Sequence, residues 1–553
     1  MEDSTSRAAE AHPGPSTLEV MASERENRSA AQPAPALPPA GTLPVRAVQR
    51  ALVDFPPPHG EVAAWWRALE PAARRTLEIA APLLVGNLDG IPWPARSRAN
   101  HIALAAFLSR LDEVVERAER TERSRGAERA ERRAHGRGAE AADDGPGGGR
   151  RPAAEALGAR IRVGLDAASR TAYRLARRGP RLRAPWGERL TLARARTLRD
   201  RLHELSTGGG FLGLEGGARR FLIGFDPQRN AAVEYLGTSI ADTDDGDDEQ
   251  IPASTRHVGL FIPGNDSSLV DFEGKVHAMS EIVLAHERGT TGLVVWQGTA
   301  FPNGPSALDS RRADIVARRL VQFMAAVRLP ETTSLTVFGF SFGGSVAGLA
   351  LARGMRADRV VHVSSAGLGP GIRSLDDLPD AARVPHFACM APGDTAVGPI
   401  LGLDARVPGS KRVDGSPLRL GHGGNPLAQP DIVRLETGSG ALPGSDAAPS
   451  PVIGHAEVVE MWGSPIKRSL AALLAGGTIT VASPRTRADR IAERTGAPWS
   501  SSLSHPERAV ETSTDPPTPR GAPGANPAST PGPASTSRAS TSRASTSRAS
   551  TSR

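Results

Sequence analysis

Cysteine is almost absent from this chain: among 553 residues there is one, Cys389. An intrachain disulfide is therefore impossible, and a thiolate metal site cannot be assembled. Lysine is nearly as scarce. Lys275, Lys411 and Lys467 are the only three, so the rest of the 67 basic residues are arginines. Aromatic residues reach only 4%, and the hydrophobic share of 39% is below that of an ordinary globular protein. That deficit implies disordered stretches diluting a normal core. No apolar run approaches the roughly 20 residues of a membrane span, and residues 1–45 lack the apolar core of a signal peptide. These absences together predict a soluble, cytoplasmic protein with no membrane span.

Charge excludes less than it first suggests. A formal net charge of +7 and a pI near 10.4 point towards nucleic acid. However, the 60 acidic residues are interspersed with the basic ones, leaving no basic face in the sequence. An arginine bias that accompanies abundant Ala, Gly and Pro fits GC-rich coding, so no nucleic-acid partner is expected. There is no H-E-x-x-H and no Walker loop. Gly208-Gly209-Gly210 lacks both the lysine and the preceding strand of a phosphate loop. Neither a metal nor a cofactor is expected.

Residues 1–45, rich in Ala, Pro, Ser and charge, read as disordered. A helical pattern covers 46–205. Trp65, Trp66 and Leu69 open it, and Ile102, Leu104, Phe107, Leu108, Leu111 and Val115 form a second apolar stripe. Residues 118–155 are a charged, glycine-rich insertion, read as a solvated helix extension running into a flexible loop. Helical pattern returns at about 153–178 and 186–205. Beyond Gly210 the period changes. Residues 220–225 and 231–236 read as a β-hairpin. Strands near 256–262, 291–297, 334–340, 358–364 and 385–391 then alternate with helices near 268–287, 306–328 and 343–355, and a last helix falls near 465–475. Such alternation predicts an α/β fold, a mostly parallel sheet covered by helices, over 206–500. Residues 501–553 end in four copies of ASTSR and read as a disordered tail.

Chemistry concentrates at Gly339-Phe340-Ser341-Phe342-Gly343, placed between an apolar β-prone run and a helix of small residues. That context makes the G-x-S-x-G pattern a nucleophile elbow, in which flanking glycines permit a tight turn and the serine is lifted above the sheet. A serine nucleophile needs a base, and the base an orienting acid. Asp394, in the loop leaving the strand 385–391, is the candidate acid; Asp404 and Asp414 lie further from the strand end. Of the later histidines, His362 and His386 fall inside strands and His505 in the tail. His455, in a loop before the last helix, is the preferred base, with His422 in Gly421-His422-Gly423-Gly424 as the alternative. An oxyanion hole requires the N–H of Phe342 and a second donor from an early strand-end loop. Ile262-Pro263-Gly264-Asn265 suits that role, with Gly264 allowing close approach and Asn265 as the donor.

Val85-Gly86-Asn87-Leu88-Asp89-Gly90-Ile91-Pro92, followed by Arg96 and Ala99-Asn100, resembles the signature of a large actinobacterial α/β-hydrolase family classed as a domain of unknown function. The tryptophans 65 and 66, Phe225-Asp226, Ile262-Pro263-Gly264, Trp296-Gln297-Gly298, the elbow, the His-Gly-Gly segment and the Gly-His segment follow in that family's order across roughly residues 60–480. Asn265-Asp266 in the oxyanion loop and Phe342, where the family often has Tyr, depart from it. The resemblance implies an α/β-hydrolase fold and leaves the substrate open. The expected activity is a serine hydrolase cleaving a carboxylic ester through an acyl-enzyme, with a small-molecule ester or acyl compound as substrate. Amide cleavage, acyl transfer with the same triad, or a non-catalytic interaction protein on the same fold are the alternatives. The helical region 46–205 is a candidate cap, since the connection between residues 365 and 385 is too short to hold a large one.

Overall fold

The computed structural model describes residues 35–39, 42–136, 181–183, 189–206, 218–238, 250–286, 289–411, 417–440, 450–482 and 508–512. All lie in the compact unit Met1–Pro516. The helix expected at 153–178, Gly208-Gly209-Gly210 and the ASTSR repeats fall outside the described residues.

Four short helices come first: α1 (Arg46–Asp54), α2 (His59–Ala68), α3 (Pro71–Ala80) and α4 (Pro82–Asn87). Prolines at the first positions of α3 and α4 start helices cheaply, because a first-turn N–H has no helical acceptor anyway. A long helix, α5 (Trp93–Gly136), carries the apolar stripe and runs on into the charged insertion. Two short strands, β1 (Arg181–Arg183) and β2 (Arg189–Thr191), pair with each other before α6 (Leu192–Ser206), so the region 46–205 is not wholly helical.

The antiparallel hairpin of β3 (Ala218–Asp226) and β4 (Ala231–Thr238) leads into the alternating part. There β5 (His257–Ile262), α7 (Phe272–Leu284), β6 (Thr291–Gln297), α8 (Ser310–Ala326), β7 (Ser334–Phe340), α9 (Phe342–Ala352), β8 (Arg359–Val363) and β9 (His386–Cys389) follow one another. Then come a hairpin of β10 (Asp404–Lys411) and β11 (Pro417–Gly421), the strand β12 (Ile432–Arg434), and a two-residue ladder of β13 (Ser439–Gly440) and β14 (Ser450–Pro451). The chain continues through α10 (Glu457–Glu460) and α11 (Pro465–Ala475). Last, β15 (Gly477–Val481) pairs with β16 (Arg508–Thr512), which lies inside the tail expected to be disordered.

Eight strands form the main sheet in the order β12-β9-β8-β7-β5-β6-β4-β3. The pairings from β12 to β6 are parallel; β4 and β3 are antiparallel additions at one edge. Both faces are covered, which is why the central strands read as continuous apolar runs. On one face α5, α6, α7 and α11 pack on Phe261, Phe338, Val361 and Val363. On the other, α8 and α9 pack on Val258, Leu260, Val337 and Val360. Helices α1 to α4 keep a small core of their own around Leu52, Trp66, Leu84 and Ile91.

Polar side chains bind this helical region to the sheet. Asn87 donates to the Phe225 carbonyl at 2.9 Å and accepts from the Phe225 N–H at 3.1 Å. Asn100 reaches the carbonyls of Gly86 and Leu222. Asp89 is buried between Arg96 and Arg319, the latter on α8. Burial opposes the Asp89 charge, but the two guanidiniums outweigh it and hold the carboxyl below its usual range.

The connection from β9 to β12 carries the β10–β11 hairpin, and Leu420 on β11 bridges to Asp309 at the start of α8.

Candidate functional site

The elbow between β7 and α9 places Ser341 at φ 55°, ψ −123°, a conformation that side chains rarely adopt. Its neighbours show why glycine is required. A Cβ on Gly343 would stand 2.2 Å from the Ile262 carbonyl oxygen, and one on Gly339 would stand 2.6 Å from Gly344 Cα. A larger residue at either place cannot be accommodated without moving backbone. The small residues of α9 follow the same logic, since a Cβ on Gly348 would meet the Leu368 carbonyl oxygen at 1.7 Å.

Asp394 lies in the turn after β9, as expected of a carboxylate at the carboxyl edge of a parallel sheet. Its side chain is fully buried and its hydrogen bonds are filled. Oδ1 accepts from the N–H groups of Ala396 and Val397, and His455 Nδ1–H donates to Oδ2 at 2.7 Å. His455 comes from a loop 61 residues later and keeps about a fifth of its side chain exposed, at 22%. Its ring lies 4.9 Å from the ring of Phe340, immediately before the elbow serine. Two ties hold the loop. Gly393 N–H donates to the Ile453 carbonyl, and Glu457 Oε2 accepts from the N–H groups of Ile453 and Gly454. Glu457 carried no signal in the sequence; a carboxylate three residues past a glycine is too common a pattern.

His422 occupies a different place. It is buried, its ring standing edge-on to Phe342 at 5.9 Å. Its backbone joins the Leu403 carbonyl and the Gly369 N–H. Burial pushes its pKa down to about 4, so the ring is neutral near pH 7. Asp394 thus meets His455 and not His422. His362 and His386 stack against each other inside the sheet, with ring nitrogens 3.1 Å apart.

The loop after β5 also runs beside Ser341. A Cβ on Gly264 would lie 2.8 Å from Ser341 Cβ and 3.2 Å from its Oγ, so this backbone passes in contact with the serine. The Asn265 side-chain amide donates to Asp266 and to the Gly304 carbonyl. Both its protons are engaged, which leaves its backbone N–H as the donor Asn265 can offer. Phe342 is the first residue of α9, where an N–H has no intrahelical acceptor. Its side chain is packed between Phe301 and His422. Among the described residues no group of three His, Cys, Asp or Glu side chains is arranged to hold a metal ion, and no helix is long and apolar enough to cross a membrane.

A family model described as alpha/beta hydrolase matches residues 250–381, a span that contains the elbow. An uncharacterized protein of Mycobacterium tuberculosis, present in strains H37Rv and CDC 1551, is 21% identical over 341 residues, covering 57% of this chain and 41% of that protein. The chain thus spans about two fifths of the length of the curated relatives it matches. Among solved structures, a dienelactone hydrolase from Anabaena variabilis is 18% identical, with 32% of this chain and 74% of that one covered and a TM-score of 0.21. An esterase from Pyrococcus furiosus is 15% identical, with 42% and 80% covered and a TM-score of 0.22. With its mostly parallel eight-stranded sheet and the family match, the chain has the α/β-hydrolase fold.

Proposed function

We propose that this protein is a serine hydrolase that cleaves a carboxylic ester of a small molecule through an acyl-enzyme. Ser341 Oγ attacks the carbonyl carbon while His455 Nε2 takes its proton. Nδ1 is engaged by Asp394, which fixes the tautomer and steadies the imidazolium that forms. The oxyanion of the tetrahedral intermediate is met by the Phe342 N–H and by the backbone of the Gly264–Asn265 loop. The imidazolium then protonates the departing alcohol. Water, activated by the same ring, releases the acid and restores Ser341.

The observation that carries this reading is the 2.7 Å contact of His455 with Asp394, made by two separate loops, with the His455 ring 4.9 Å from that of Phe340, the residue before a serine on a strained elbow. A buried carboxylate whose other oxygen is held by two backbone N–H groups is an orienting group and not a chance surface partner. The family match over the elbow supports a hydrolase.

Turnover of p-nitrophenyl esters of graded acyl length by the full chain tests the proposal. Release of p-nitrophenol that disappears in Ser341→Ala is the expected result, and the best acyl length identifies the substrate class. Turnover unchanged in that variant would contradict it.

A further inference from the structure

The β3–β4 turn joins the N-terminal helices to the oxyanion side of the site. On one side of the turn, Asp226 receives Arg50 of α1 at 2.9 Å, and Arg229 reaches Asp54 of α1 at 2.7 Å. Asn87 brackets Phe225 from both its N–H and its carbonyl. On the other side stands Asn230, at φ 52°, ψ 42°. This left-handed conformation is one that asparagine tolerates better than most residues. Its Oδ1 accepts from the Leu269 N–H at 2.9 Å, and its Nδ2 approaches the Ser267 carbonyl at 3.5 Å. Its own carbonyl accepts from the buried Gln297 amide at 2.7 Å. Ser267 in turn donates from Oγ to the Gly264 carbonyl at 2.6 Å, and Gly264 is the residue whose backbone touches Ser341.

We propose that Asn230 is a positioning residue for the oxyanion loop, holding Ser267–Leu269 so that Gly264 and Asn265 present their backbone to the reacting carbonyl, and that α1 and α4 set Asn230 by anchoring its turn. The inference rests on the hydrolase reading above. It also gives a common purpose to Asn87, Phe225-Asp226, Gln297 and Pro263-Gly264, which are far apart in the chain and form one line of contacts. The physical need is plain. The loop between Ile262 and Phe272 is nine residues with few apolar anchors near its start, and an oxyanion donor loses its value when it is displaced from the developing charge. A side chain bonding two groups of that loop from a turn fixed by ion pairs removes this freedom before substrate arrives.

Asn230→Gly tests the proposal, because glycine keeps the positive φ and deletes only the side chain. Asn230→Asp is the conservative partner, retaining the acceptor for Leu269 and the tolerance of this φ. Both are made in the full chain. The readouts are kcat and KM for p-nitrophenyl butyrate, the second-order rate of labelling by a fluorophosphonate, whose phosphoryl oxygen occupies the oxyanion position, and the thermal midpoint.

The expected result for Asn230→Gly is a fall of about tenfold or more in kcat and in labelling rate, with KM within about twofold and the midpoint within a few degrees. Asn230→Asp should recover most of both rates. Wild-type rates in Asn230→Gly would overturn the proposal, as would equal losses in the two variants or a loss matched by a lower midpoint with KM raised in step. If the wild-type chain itself neither turns over ester nor takes up the probe at Ser341, the hydrolase reading fails first, and that failure is seen before any variant is compared.

Discussion

The two sides of the candidate site are built by different means. On the side of β9 and α10, short-range turns do the work. The elbow is set by glycines within two residues of Ser341, Asp394 is held by the next residues of its own turn, and His455 is presented by a loop closed on Glu457 three residues later. On the side of β5, the loop next to Ser341 depends on remote parts of the chain. Asn230 is 39 residues from its partner Leu269, and Asn87 is 138 residues from Phe225. Ser341, Asp394 and His455 are each held largely by their own turns, with Gly393 and Ile453 tying two of those turns together, whereas the loop after β5 is braced through the N-terminal helices. Breaking the first side should stop the chemistry and spare the fold. Breaking the ion pairs that anchor the N-terminal helices behind the second should cost stability.

The largest expected effect is on the local side. Replacing Ser341 or His455 by Ala should lower kcat on the order of 10³-fold or more, with the thermal midpoint nearly unchanged, because neither side chain supports the core. Steady-state kinetics and thermal melts of the two variants check this. A midpoint that fell in step with activity would erase the distinction between the two sides.

The remote side should respond in stability. Asp89→Ala leaves Arg96, itself buried, without its carboxylate and frees Arg319. Removing one partner of a buried ion cluster costs roughly 3–5 kcal/mol. Urea unfolding should show a loss of that size. Replacing Asp89, Arg96 and Arg319 together by apolar residues should recover much of it, since no uncompensated charge then remains.

An effect of comparable size is set by pH and falls on neither side alone. Burial pushes His386 and His422 down to about 4 and holds His362 well below its ordinary value of 6.5. The unfolded chain binds protons at these imidazoles below about pH 6.5 while the folded chain does not. Their contribution is therefore complete above pH 6.5 and lost as pH falls from 6.5 towards 4. At pH 5 this is about 2 kcal/mol for each of His386 and His422. Unfolding free energies measured at pH 7 and pH 5 give the difference directly.

The smallest change is expected at His422. The His422 ring packs edge-on to Phe342, and Asp394 bonds to His455 instead of to it. His422→Asn should reduce kcat less than about tenfold, against the much larger loss in His455→Ala. Equal losses would return the base assignment to the alternative.

The same contrast explains what could be read from the sequence. The parallel strands were legible because burial on both faces leaves apolar runs, and the elbow because its glycines, which stand where the backbone of β5 and of the turn itself leaves no room for a Cβ, recur at a fixed spacing around the serine. The contact of Asp394 with His455 joins the residue after β9 and the loop histidine that the order of candidates singled out. The β9–β12 connection was not legible. β12 is only three residues long, and the β10–β11 hairpin has no apolar alternation to announce it. Nor was the brace on the oxyanion loop. Asn87 and Asn230 bond to distant backbone, and a polar side chain whose partner lies far along the chain leaves no periodic signal. The side chain of Asn265 shows the same limit, since its turn towards Asp266 and Gly304 depends on a loop that enters from β6.

Everything proposed for this site depends on Ser341 acting as its nucleophile. Treating the folded full chain with a fluorophosphonate and mapping the adduct by peptide mass spectrometry tests it most directly. One adduct is expected, on Ser341, lost in Ser341→Ala and strongly slowed in His455→Ala. An unlabelled wild-type protein, or an adduct that persists on another residue when Ser341 is replaced, would contradict it.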